Sequence, residues 1–168
     1  MRARRAGRTD VEAICRICAE GWRDTYRDLY PSERIERTIA HFYNADRVGK
    51  ELDPAGGWDG WWVTEDESGE VVAAGGGGMT GPLTSEVFVL YVDSARQGEG
   101  AGTTLLEALT REQRSRGARE QWVAVAQGNE QAISFYRARG FRARGTRPAY
   151  GEADPAASES LLFWRPLD

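Results

Sequence analysis

Lysine, histidine and cysteine are scarce in this chain of 168 residues: Lys50 is the only lysine, His41 the only histidine, and Cys15 and Cys18 the only cysteines. Cys15 and Cys18 have CxxC spacing but no second pair and no neighbouring histidine, so they do not make a zinc site, and no metal is expected. They fall on apolar positions of a helical pattern and read as reduced thiols of a core or groove. His41 lies between Ala40 and Phe42, away from every motif below, and is not expected to be catalytic.

Long apolar runs are also missing. The longest is Val87–Val92, whereas a membrane helix needs about 20 apolar residues. The basic start, Met1 to Arg8, passes into Thr9-Asp10-Val11-Glu12 without the apolar stretch of a signal peptide. No membrane partner and a cytoplasmic location are therefore expected. The 22 basic residues, all but Lys50 arginines, are scattered against a net charge of -4, so no nucleic-acid footprint is expected either.

What remains is the composition of an ordinary soluble globule, 40% apolar and 29% charged. A chain of this length buries roughly 70% of its unfolded surface around one core, and residues 1–168 are read as one domain.

Helical spacing recurs at Val11, Ile14, Cys15, Cys18 and Trp22 after a start at Thr9-Asp10, and again at Ile35, Ile39 and Phe42 after Pro31-Ser32-Glu33. Two helices are thus expected before any strand. Trp61–Thr64 and Val71–Ala74 read as strands joined through Asp66-Glu67-Ser68-Gly69. The run Gly75–Gly78 then implies either a bulge or a close approach by another backbone or a ligand. Further strands are expected at Glu86–Val92, Gln121–Ala126, Arg142–Thr146 and Leu161–Trp164. Helices are expected after Gly100 and over Asn129–Arg139, and Gly145–Ser158 reads as a loop bordering a site.

Two segments carry chemistry. Gln97-Gly98-Glu99-Gly100-Ala101-Gly102 lies between a strand and a helix, where unpaired N–H groups and the helix dipole favour a phosphate without any lysine. It lacks the Gly-Lys-Ser/Thr of a Walker loop and the context of a dinucleotide loop. Asn129-Glu130-Gln131-Ala132-Ile133-Ser134-Phe135-Tyr136-Arg137-Ala138-Arg139-Gly140-Phe141 has an N-cap in Asn129, an apolar face, and a left-handed terminus in Gly140 that folds Phe141 back on Tyr136. On that pattern alone, Tyr136 is a packing residue.

Together these segments resemble the GNAT superfamily of acyl-CoA-dependent N-acetyltransferases, whose signature is Gln/Arg-x-x-Gly-x-Gly/Ala followed by Asn-x-x-Ala-x-x-Phe-Tyr-x-x-x-Gly-Phe. Val89-Leu90-Tyr91-Val92-Asp93 likewise looks like that family's fourth strand. The resemblance implies an α/β (α+β) fold: a central mixed, mostly antiparallel twisted sheet of six to seven strands, flanked by about four helices, with splayed fourth and fifth strands. It implies acetyl-CoA as acyl donor, no metal, and transfer of acetyl to a primary amine of a small molecule by direct attack. A protein or peptide acetyltransferase and a non-catalytic acyl-CoA-binding module are the alternatives.

By the same resemblance, Leu90, Tyr91 and Val92 would meet the pantetheine. Gln97, Gly98, Glu99, Gly100, Ala101, Gly102 and Thr103 would form the pyrophosphate loop, with Glu99 facing solvent, and Asn129 would touch the pantetheine or fix its helix. Tyr136 would protonate the departing thiolate, and Glu86 is the candidate base for the amine. Trp22, Tyr26 and Tyr30, at four-residue spacing, are candidate acceptor residues as well as a plain core stripe. With Asp24 and Asp28 nearby they would suit a cationic, partly apolar amine. Many relatives are dimers, some of them sharing a strand at the C-terminal edge, and Leu161–Trp164 is apolar enough to be such an edge or an interior strand, so a homodimer is left open.

Overall fold

The computed structural model describes residues 1–148 and 159–168. In chain order these form β1 (Arg2–Arg5), α1 (Val11–Tyr26), α2 (Ser32–Phe42), α3 (Ala45–Lys50), β2 (Trp62–Glu65), β3 (Val71–Met79), β4 (Thr84–Val92), α4 (Ala101–Ser115), β5 (Glu120–Ala126), α5 (Glu130–Arg137), β6 (Arg142–Pro148) and β7 (Glu159–Pro166). The seven strands make one sheet in the order β1-β2-β3-β4-β5-β7-β6. Every pairing is antiparallel except the parallel pair β4–β5. This is the mixed, mostly antiparallel sheet expected from the sequence.

Three details differ from expectation. The basic opening is a strand, so a strand precedes the two helices. Arg2–Arg5 has no apolar alternation to reveal it; β1 is held instead by Arg4, which pairs with Asp10 at 2.8 Å and Glu65 at 3.0 Å, and by Arg5 over the Trp62 ring. Such charge suits an edge strand that must not recruit another chain. A short third helix, α3, is capped by the Asn44 side chain. Leu161–Trp164, open in the sequence as an edge or an interior strand, is the interior one, between β5 and β6. Of the expected loop Gly145–Ser158, Gly145–Pro148 belongs to β6, and 149–158 lie outside the described residues.

Side chains alternate across the sheet as the pleat requires. Along β4, Val89 and Tyr91 join the cluster of Ile14, Ile17, Cys18 and Val63 under α1. Leu90 and Val92 join Leu105, Leu109, Val123 and Phe163 under α4 and α5. A buried polar network crosses the second layer. Gln113 on α4 donates to the Glu86 carbonyl at 3.1 Å, and Gln121 on β5 donates to Gln113 at 2.9 Å and to Thr110 at 3.0 Å. Arg165 completes it through Gln121 at 2.8 Å. Each buried polar group therefore keeps a partner where α4 meets the centre of the sheet.

The glycine run belongs wholly to β3 and serves both purposes open to it. The register with β4 shifts between Gly76 and Gly77, so that Gly76 pairs with Val89 and Gly77 with Val87. Phe88 is the extra residue of a β-bulge. The glycines also admit close backbone: a Cβ on Gly77 would stand 2.1 Å from the Glu86 carbonyl oxygen, and one on Gly78 would stand 1.8 Å from that of Gly57. Gly77→Ala should therefore lower unfolding free energy by about 3 kcal/mol, or roughly 6–12 °C in Tm. Gly49→Ala, whose Cβ meets nothing within 4 Å in α3, should leave Tm unchanged or slightly raised; equal melting of the two variants would refute this reading of β3.

Candidate functional site

The site begins where the parallel strands part. β4 and β5 pair only from Thr84/Glu120 to Val87/Val123. Past Val87 comes the bulged Phe88, which is 43% exposed, and bulges add local twist. Beyond it β4 stays with β3, while β5 continues against β7. Phe88–Val92 consequently faces a gap instead of a partner strand. The splayed fourth and fifth strands of the sequence reading are present, with the bulge as their local cause.

One side of the gap opens into a cleft of about 810 Å³. Its floor is the turn into α4. Gly98 and Gly100 hold left-handed φ of 79° and 89°, a backbone that L side chains rarely adopt. The first intrahelical bond runs from Thr104 N–H to Gly100 O. Helix geometry thus leaves the N–H groups of Ala101, Gly102 and Thr103 for a ligand, and no acidic residue lies in that first turn. Gly102 abuts Val92 and Phe135, so it also lets α4 and α5 approach.

Leu90, Tyr91, Val92, Gln97, Gly98, Gly100, Ala101, Gly102, Thr103 and Asn129 all line this cleft. Glu99 does not; it is exposed and paired with Arg96 at 3.1 Å, and Arg96 also ties the loop to Asp66 at 2.9 Å. The neighbouring guanidinium offsets a charge that would otherwise oppose a phosphate. Asn129 caps α5 by accepting from Ala132 N–H at 3.2 Å. Gly140 takes φ of 89°, and the rings of Tyr136 and Phe141 meet at 5.2 Å, as the sequence pattern requires.

Two cleft residues escaped the sequence reading. Arg139 bonds the Thr103 hydroxyl, stacks over Phe135 at 3.7 Å, and keeps a buried Nε without a partner among the described residues. It supplies a cation beside the turn into α4, placed there just past the end of α5 and invisible as a motif because an arginine before a helix-ending glycine is common. Gly21, in mid-α1, seats the Tyr91 ring: a Cβ there would stand 2.4 Å from it. Glycine inside an apolar helical stripe is a usable signal of such close packing.

The other side of the gap is a smaller cavity of about 140 Å³. Trp22, Tyr26 and Tyr30 line it, with successive ring centroids 4.0 and 5.0 Å apart. They continue one stripe, although α1 ends at Tyr26 and Tyr30 follows in a turn. Glu86 lies in the same wall, 6% exposed, and both its oxygens face Arg147, at 2.5 and 3.3 Å. Arg147, on β6 and distant in sequence, was not foreseen. Asp24, expected to mark this cavity as cation-binding, instead lines the cleft and pairs with Arg27 at 3.0 Å.

Cleft and cavity share Leu90, Tyr91, Asn129, Ala132 and Tyr136. Tyr136 is 6% exposed, and burial holds its phenol well above the usual range, opposed by the charges of Arg139 and Arg165. A protonated hydroxyl therefore stands at the junction. Burial also raises Tyr26 to about 12 and pushes Tyr43 and Tyr91 well up. Cys18 is buried with its thiol pushed up in the same way, which agrees with an inert core thiol. No group of side chains suited to a metal occurs among the described residues.

The sequence profile of the acetyltransferase (GNAT) family matches residues 16–141. An uncharacterised protein of Mycobacterium leprae (strain TN) is 31% identical over 127 residues, or 76% of this chain and 31% of that protein. The chain thus spans about a third of the length of that curated relative. The PaiA N-acetyltransferase of Thermoplasma acidophilum, solved in complex with coenzyme A, superposes with a TM-score of 0.81 at 18% identity over 98% of both chains. The ribosomal-protein-alanine N-acetyltransferase of Brucella melitensis superposes at 0.67 with 25% identity, over 99% of this chain and 100% of that one. These likenesses are of fold.

The buried phenols give a pH prediction. Of six tyrosines, the four with raised values should stay protonated in the folded chain at about pH 11, against an unfolded value near 10. The unfolded chain then releases protons that the folded chain keeps, so the contribution of these phenols to stability is level below about pH 10 and is lost as pH rises above it. Ultraviolet phenolate titration, native against urea-unfolded, should show at most two early ionisations; more than two would refute it.

Proposed function

The chain belongs to the acetyltransferase (GNAT) family, and from that premise we propose that it transfers acetyl from acetyl-CoA to a primary amine of a small molecule. The observation that carries this reading is the junction at Tyr136 between a phosphate-accepting cleft and a separate small cavity. A donor with an anionic handle fits the first, and a compact acceptor fits the second better than a peptide would. In this reading residues 1–168 act as one domain in the cytoplasm, where acetyl-CoA is available; no described helix is long and apolar enough to cross a membrane.

The donor fits the residues present. The N–H groups of Ala101, Gly102 and Thr103, together with Arg139, would hold the pyrophosphate, and the unpaired stretch of β4 at Leu90–Val92 would hold the pantetheine. Acetyl-CoA supplies the thioester. The acceptor's ammonium loses two protons in becoming an amide. Glu86, on the cavity wall, takes the one that must leave before nitrogen can attack, because an ammonium near pKa 10.4 has no free electron pair. The carbon–sulfur bond breaks as the carbon–nitrogen bond forms, and Tyr136 gives its proton to the departing sulfur. The second amine proton restores the phenol.

Acetyl-CoA at 100 times its dissociation constant should add about 2.7 kcal/mol to stability and raise Tm by roughly 5–11 °C, with thiol released when a suitable amine is added. Tyr136→Phe, which keeps the ring packing, should lower kcat by about 100- to 10,000-fold at unchanged acetyl-CoA affinity. A Tm rise with no turnover on any amine or peptide would make the protein a binding module. Turnover on peptides alone would replace the acceptor class, and the absence of any Tm rise would overturn the donor.

A further inference from the structure

The charge of the acceptor cavity is unlike that of a site for a simple cationic amine. Its charged lining among the described residues is Arg34, Glu86 and Arg147. The single carboxylate is already engaged at both oxygens by Arg147. The phenols of Tyr26, Tyr43 and Tyr91 add hydrogen-bond donors that burial keeps protonated. Such a wall sets a guanidinium beside a carboxylate among hydrogen-bond donors, and it suits a ligand that brings an anionic group as well as an amine.

We propose that the acceptor is a zwitterion, a primary amine carrying a carboxylate, and that the Glu86–Arg147 ion pair is its template. The inference rests on the acyl-transfer reading above. The acceptor's carboxylate takes the fork of Arg147, whose planar donors match it in two places. Its ammonium takes Glu86. Each buried charge exchanges one partner for another, so none is stranded at the cost that an unpaired buried ion carries.

The two partners are unequal in freedom, and that sets which one yields. The Glu86 side chain is 8% exposed, and its own carbonyl is held by Gln113 from α4. Arg147 is 38% exposed and sits at the end of β6. The guanidinium therefore swings toward the incoming carboxylate while Glu86 stays. The same exchange frees Glu86 from its cation as the amine arrives, which reconciles a paired carboxylate with service as a base.

The test is thiol release from acetyl-CoA with the α-amino acids of proteins, β-alanine and γ-aminobutyrate, each set against its own carboxamide and its decarboxylated amine. At least one amino acid should exceed its carboxamide in kcat/KM by roughly 100-fold. Arg147→Gln should remove most of that preference through KM, and Arg147→Lys should restore part of it. A wild-type preference for amides or bare amines overturns the template while leaving acyl transfer intact. So does an Arg147→Gln protein that still melts higher with acetyl-CoA and discriminates as the wild type does. If acetyl-CoA raises no Tm and no amine releases thiol, the acyl-transfer reading itself fails and the template with it.

Discussion

Everything at the site depends on two parallel strands that pair and then stop pairing. β4 and β5 share hydrogen bonds over a short stretch and separate beyond Val87. The separation leaves main-chain groups of β4 facing a gap, which a folded protein tolerates only where a ligand or solvent can satisfy them. The bulge at Phe88 directs β4 away, and the antiparallel pairing with β7 holds β5 in place. From this follow a cleft on one side, a cavity on the other, and Tyr136 among the residues that line both.

The local parts of the site were legible in the sequence because local rules make them. The turn at Gln97–Gly102 and the capped helix Asn129–Phe141 depend on glycine conformation, an Asn cap and helical spacing, all of which act within a few residues. Tyr136 inherits its position from that helix. The fold class was equally legible once these segments were recognised, since they occur in a fixed order of elements.

What was not legible depends on distant charge and on packing. β1 hides because arginines, rather than alternating apolar residues, hold it to Asp10 and Glu65. Arg147 is far from Glu86 in sequence, and nothing near either residue announces the pair. Asp24 shares the stripe's helix, yet its side chain turns to Arg27 and the cleft, so helical neighbourhood misjudged the charge of the cavity. The four glycines announced that something came close, and only the fold says that it is the Glu86 and Gly57 carbonyls.

Helix α4 has two working ends. Its first turn floors the cleft, while Gln113, near its last turn, holds the carbonyl of Glu86 on the cavity wall. Fifteen helical residues make a stiff rod about 22 Å long. Cleft and cavity are thus fastened to one lever, and any slide of that rod along its axis would be felt at both.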